Sequence, residues 1–416
     1  MPAGSPRTDV VTFHYTIFYL PRPANDPIAS VEKHAEVRRV TDIPAEPRER
    51  VVSASMDLDV PRNYAVPDPH SLKYFGRGLS DDQVRAVQRS QHALVLGFAH
   101  PQRDVWRGLR HANELAAAVA DDTGGLIWDD ETRELFTPEA WEEQRLARWT
   151  GEIPAISDHM TIHFYEKDDA VRAVTLGMKK FGLPDVVLDG LAWSLQRNVG
   201  HIINLFCQAM AEGATLDAGR FDLHLRRIRD ASVRDPQLAA IPGGTGVARL
   251  ALREGIAHEG DPDNRLVQIF PSYYPGNDDP AKLDAMLTTF FGATDSVAMV
   301  DYTNAELRAA SAAAREKLPA LRSAFNSGLD PGEYILVKAP FAAPDGNKEW
   351  MWVEVARWDG EEIRGTLRND PQLVRDLHAG QMVEISEADV FDYIRHYPDG
   401  RKEGNSTGEV ISRMNR

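Results

Sequence analysis

Residues 333–394 constrain the fold more than any other stretch, because their pattern can be satisfied only by paired strands. The block reads EYILVKAPF, EWMWVEVARW, IRGTLRNDP, LVRDLHAGQMVEI and DVFDYI, apolar runs separated by turn chemistry. Strand side chains alternate between faces, so Trp350, Trp352 and Glu354 share one face and Met351, Val353 and Val355 the other. The aliphatic face is the natural core face. The tryptophan face then covers a second core or stands partly open, and the high average burial of Trp favours packing. Partly open rings beside polar groups mark a binding surface. Lys338, Asn369, Asp370, Pro371 and Gly380 lie at turn-like positions around them, and Glu349, at the start of the tryptophan strand, joins Lys338, Asn369 and Asp370 as a candidate for the binding surface. Asn369-Asp370-Pro371, Gly365 and Gly380 read as turns. The expected module is a strongly bent sheet, approaching a small barrel, with a helix over 371–378 at its edge.

The chain has 416 residues, too many for one small core, and three units are expected: 1–155, 156–302 and 303–416. A hydrophobic share of 43% is enough to bury a sizeable interior. With 63 acidic against 47 basic residues the net charge is −16, which argues against nucleic acid or an anionic membrane as a general partner. Arg226, Arg227 and Arg229 are the best local basic patch, and read more simply as a solvated face. The single cysteine, Cys207, rules out an intramolecular disulfide and fits a reducing compartment. It lies in the apolar run IINLFCQAM, as a buried inert thiol would. The start, MPAGSPRTD, lacks a signal-peptide core, and no apolar run approaches the ~18 residues of a membrane span, so a cytoplasmic location is expected.

Along the first 300 residues strands alternate with helices. VVTFHYTIFYL (10–20), RVVSASMDLDV (50–60) and ALVLGFAH (93–100) read as strands, with a helix from the Ser80-Asp81-Asp82 cap and an amphipathic helix over 103–120 ending at Gly124-Gly125. Strands follow at 159–167 and 171–181 around an Asp168-Asp169 turn, then VVLDG, a helix within 192–212, and a hairpin of ARLALREGI with RLVQIFP. Helices at 280–291 and 305–325, with a break at Pro319, flank a strand at 296–302, and Thr303-Asn304 caps the second helix. The fold class is α+β: N-terminal and middle α/β layers, then a small, mostly β C-terminal module with one helix.

Complete catalytic motifs are missing. Gly243-Gly244-Thr245-Gly246 has neither the lysine nor the following helix that a phosphate loop needs, and reads as a loop. On a strand, His159, Thr161 and His163 would share one face, and Asp158 could add a carboxylate, a weak metal-site pattern with no recognisable third ligand. No nucleophile elbow is present, and His201 is not placed to activate Cys207. No cofactor and no metal are expected.

VKAPF (337–341), EWMWVEV (349–355), GTLRNDP (365–371), LHAGQMV (377–383) and DVFDY (389–393) together resemble the bacterial YegJ-like family of uncharacterised proteins, the domain of unknown function 2314. The resemblance covers about the last fifth of the chain. It implies a small, mostly β module with one helix, and no established activity, cofactor or catalytic residue. By analogy it suggests an immunity or stress role. The leading expectation is a non-enzymatic binding or interaction protein, engaging a protein partner through the Trp350/Trp352 face. The rivals are a metal-dependent hydrolase built on His159 and His163, and a structural subunit of a larger assembly.

Overall fold

The computed structural model describes residues 6–20, 22–64, 66–167, 170–192, 195–217, 219–241, 243–276, 278–292, 305–343, 348–369, 371, 374 and 376–414. Asp370, the 168–169 turn, the 296–302 strand and the Thr303-Asn304 cap lie outside them. The described chain is α+β, with three sheets, each built from a contiguous stretch of sequence.

The first sheet contains β1 Val10–Tyr19, β2 Arg38–Val40, β3 Val51–Asp57, β4 Gly76–Arg77, β5 Ala93–Pro101, β6 Gly125–Asp129 and β7 Glu134–Phe136, in the order β2-β3-β5-β1-β6-β7-β4. At its centre β3, β5, β1 and β6 pair antiparallel. The helix Pro27–His34 connects β1 towards β3, and the helix Val105–Thr123 connects β5 to β6, a split β-α-β arrangement. The cause is patterning. Val11, Phe13, Tyr15, Ile17 and Tyr19 of β1 are all buried, and Leu109, Ala112, Leu115, Ala116 and Val119 recur at helical spacing in the same core. Gly124, at φ +76°, closes that helix in the left-handed conformation. Pro27 opens a helix capped by Asp26.

The second sheet contains β8 Thr161–Lys167, β9 Ala170–Leu176, β10 Asp185–Leu191, β11 Arg220–His224, β12 Val247–Glu254 and β13 Leu266–Phe270, ordered β11-β12-β13-β10-β9-β8, with β10 and β13 parallel. The helices Gln196–Ala211 and Asp279–Phe291 cover it, and its buried side chains are continuous with the core of the first sheet. Two strand expectations shorten. Residues 178–181 form a 3-10 turn after Gly177 at φ +104°, and His159 ends a 3-10 turn, Ile156–Asp158, before β8 begins. The glycine loop 243–246 is pinned: Thr245 donates its N–H to the Thr289 carbonyl, and a Cβ on Gly244 would stand 2.1 Å from the Phe290 oxygen.

The third sheet contains β14 Tyr334–Ala342, β15 Lys348–Asp359, β16 Glu362–Leu367, β17 Met382–Ser386, β18 Asp392–His396 and β19 Lys402–Gly404, ordered β17-β16-β15-β14-β18-β19. It is an open sheet with β17 and β19 at its edges. Ile335, Val337, Met351, Val353, Val355 and Leu367 form its own core with Leu318 and Leu321 of the helix Leu318–Asn326. An irregularity between Val355 and Arg357 shifts the alternation, so Trp358 turns inward and is buried. The expected edge helix over 371–378 is not formed at Pro371, Val374 or 376–378, where backbone groups are satisfied by the Glu349 carboxylate and by a Leu377-to-Val374 turn. The module's closing helix is instead Ser406–Met414. The module is seated on the rest of the chain: a Cβ on Gly380 would stand 2.6 Å from Ala281 Cα, Arg368 lies 3.4 Å from Asp284, and Tyr74 donates to Asp330 at 2.8 Å.

Candidate functional site

The second face of the C-terminal sheet gathers most of the residues singled out above. Register places Lys338 opposite Trp352 on one side and Asp392 on the other. The Lys338 ammonium lies 5.5 Å from the Trp352 ring centre, a cation–π contact. Burial lowers the Lys338 pKa, and the nearby Asp392 opposes that shift. Burial raises the Asp392 pKa, while the Thr407 N–H and hydroxyl, both donating to Oδ2, hold it down. Asn369 accepts the Trp352 N–H at 2.7 Å, and Glu349 accepts the Val374 N–H at 3.3 Å. Lys338, Glu349 and Asn369 therefore have structural work to do. Trp350 and Trp352 are half-buried, and Trp350 packs on Phe391 with ring centres 4.5 Å apart.

Pro340 pairs with Trp350 and also lines a cleft of about 840 Å³ at the end of this sheet. Phe341, Ile363 and Ile385 give the cleft apolar surface. Glu361, Glu362, Glu384 and Asp389 bring carboxylates to it, all exposed and all without an ion-pair partner among the described residues. Arg357 is tied to Asp359 at 2.6 Å. Arg364 also lines the cleft, opposite Glu384 in the register, so the arrangement is an apolar floor under a rim in which carboxylates outnumber cations. No sequence motif marks it, because its members alternate along β16 and β17 as any exposed strand face would.

The metal candidates are kept apart. His159 is not on β8, so it does not share a strand face with His163. It is buried edge-on against Trp149, and burial, Arg145 and Lys180 hold its pKa well below the usual value. His163 stacks on Phe75 with centres 4.5 Å apart, and burial pushes its pKa down to about 4. The Asp158 carboxylate faces Arg148 at 3.8 Å. Among the described residues no group of three or more His, Cys, Asp or Glu side chains could hold a metal ion. Cys207 is buried, and burial raises its thiol pKa well above the ordinary value, as for an inert core thiol.

Sequence reasoning missed a buried ionic network between the first two sheets. Arg145, in a π-helical turn over Glu142–Ala147, donates to Asp129 at 3.2 Å, to Glu134 at 2.8 Å and to the Asp158 carbonyl. Lys180 donates to the same Asp129 oxygen as Arg145. Arg77 holds Glu134 from its other side at 2.6 Å. Asp129 keeps a lowered pKa: burial pushes it up, and Lys180 and Arg145 more than offset that. With each carboxylate paired and none facing a cleft, the network organises structure rather than chemistry.

Among the described residues no helix is long and apolar enough to cross a membrane. No curated protein and no solved structure matches the chain. Residues 304–414, the C-terminal part, match the family model of the domain of unknown function 2314, described as an uncharacterised protein conserved in bacteria.

Proposed function

We propose that this chain is a non-enzymatic binding protein whose C-terminal sheet takes up a basic segment of a protein partner. The observation that carries the reading is the apolar-floored, mostly acid-rimmed cleft, whose lining residue Pro340 pairs in the sheet with the half-buried Trp350. Interfaces draw their energy from aromatic anchors in partly desolvated settings, and complementary charge speeds encounter and rejects wrong partners. A partner with lysines or arginines flanking an apolar side chain satisfies both parts of the cleft. The buried ion pairs between the first two sheets are closed on themselves, whereas the carboxylates of this surface are open to a partner.

The test is affinity capture on the wild-type protein and on two variants, Trp350→Ala and the double change Glu362→Lys with Glu384→Lys, each checked by circular dichroism and thermal unfolding. A partner held by the wild type, lost by both folded variants and released by salt supports the reading. Equal capture by all three proteins, or a captured protein that is acidic at its contact segment, overturns it.

A further inference from the structure

A second cavity lies far from this cleft, where the helices Gln196–Ala211 and Ala231–Ala240 meet the segment 148–158. Its volume is about 510 Å³, within the usual range of small-ligand sites. His201 and Asn204 reach it from one helix, Ser232 from the other, and Arg148, Ser157 and Asp158 from the segment. The side chains of Ser157, Asp158, His201 and Asn204 make no hydrogen bond to the rest of the described chain. The exposed Ser157 and the partly buried Asp158, His201 and Asn204 thus bring polar groups to one cavity without an internal hydrogen bond, and Arg148 beside them donates to Glu143 at 3.1 Å.

The wall is also held from behind. The Asp158 carbonyl accepts from Arg145, the centre of the buried ionic network, so the network terminates on the cavity wall. Arg148 follows directly on the π-helical turn that carries Arg145, a backbone irregularity that often accompanies sites. In the other wall Pro236 lies inside its helix, where it has no N–H to give to the Ser232 carbonyl. Arg148 Nη1 and Asp158 Oδ1 stand 3.8 Å apart, in line of sight but beyond hydrogen-bond distance. The pair thus offers one cationic and one anionic anchor side by side. Burial and the neighbouring Arg197 lower the His201 pKa, so this ring is neutral and supplies a donor or acceptor rather than charge.

We propose that this cavity binds a free α-amino acid, its carboxylate on Arg148, its ammonium on Asp158, and a polar side chain among Asn204, His201 and Ser157. The proposal is independent of the protein-binding role of the C-terminal cleft.

The experiment is a thermal-shift screen of the full chain against the twenty free L-amino acids. Each hit is titrated calorimetrically beside the amine lacking its carboxylate and the acid lacking its amine. The proteins are wild type, Arg148→Gln, Asp158→Asn and Asn204→Leu. The last reads the same site if Asp158→Asn fails to fold. The expected result is saturable binding of at least one polar amino acid, weakened about tenfold or more in the folded variants, as loss of a charge-assisted contact requires, with neither truncated analogue binding. No response to any amino acid, equal binding of a truncated analogue, or wild-type affinity in the folded variants overturns the proposal.

Discussion

The interior between the first two sheets and the outer face of the third handle charge in opposite ways. In the first, Asp129 and Glu134 are buried with Lys180, Arg145 and Arg77 against them. In the third, Glu361, Glu362, Glu384 and Asp389 stand open beside apolar surface with no ion pair among the described residues, although Arg364 lines the same cleft. A buried charge must be paired because water cannot reach it, and an exposed one can stay unpaired at little cost until something arrives. Charge density alone therefore does not locate function in this molecule. What separates the two regions is whether the charges are already satisfied.

The sharpest way to break the comparison is Lys180→Met. It leaves Asp129 buried with one cation fewer, and a loss of about 3–5 kcal/mol in denaturant unfolding is expected. A loss below about 1 kcal/mol would mean that the interior is wetter than its burial implies. Gly380→Ala comes next. The new methyl meets the Ala281 backbone and the residue sits at φ +84°, so a loss of about 1–3 kcal/mol is expected, expressed first as loosening of the C-terminal module in hydrogen exchange.

The third prediction concerns pH. His163 has a folded pKa near 4, below its unfolded value, so the unfolded chain binds the extra proton first. The stability it contributes is full above the unfolded pKa and is lost as pH falls towards 4. His163→Phe, which keeps the stack on Phe75, should flatten the loss between pH 7 and pH 5 by about 1–2 kcal/mol relative to wild type. An unchanged pH profile would show that this ring titrates as if exposed. The smallest stability effect is expected at the open face: Trp350→Ala should cost about 1 kcal/mol while removing partner capture. A loss several times larger would place Trp350 in the core and end its role as an anchor.

The fold was largely legible where alternation and end signals agreed. β1, β5, β14 and β15, the Ser80 cap and the Gly124 terminus all follow from local chemistry. Segments failed where distant partners decide the backbone. Residues 371–378 have a helical rhythm, but Glu349 satisfies the Val374 N–H across the sheet, and no local signal reports that. Residues 178–181 look like strand until Gly177 breaks the extended backbone and delivers Lys180 to Asp129, 51 positions away. The face of Trp350 and Trp352 was visible in the period of β15, and so was the core face opposite. The acidic cleft was not, since it exists only when the ends of β14, β16 and β17 come together.

The seam at Gly380 and Ala281 limits how this sequence can change. The helix Asp279–Phe291 packs on the middle sheet through Leu283, Met286 and Phe290, and on the C-terminal module through the backbone at its first turn. The backbone at 280–281 cannot move towards the module unless the 377–381 loop retreats, and that loop ends on the strand that forms the cleft's edge. A shift of that turn in the middle of the chain is thereby felt at the rim of the cleft, although the two parts share no strand.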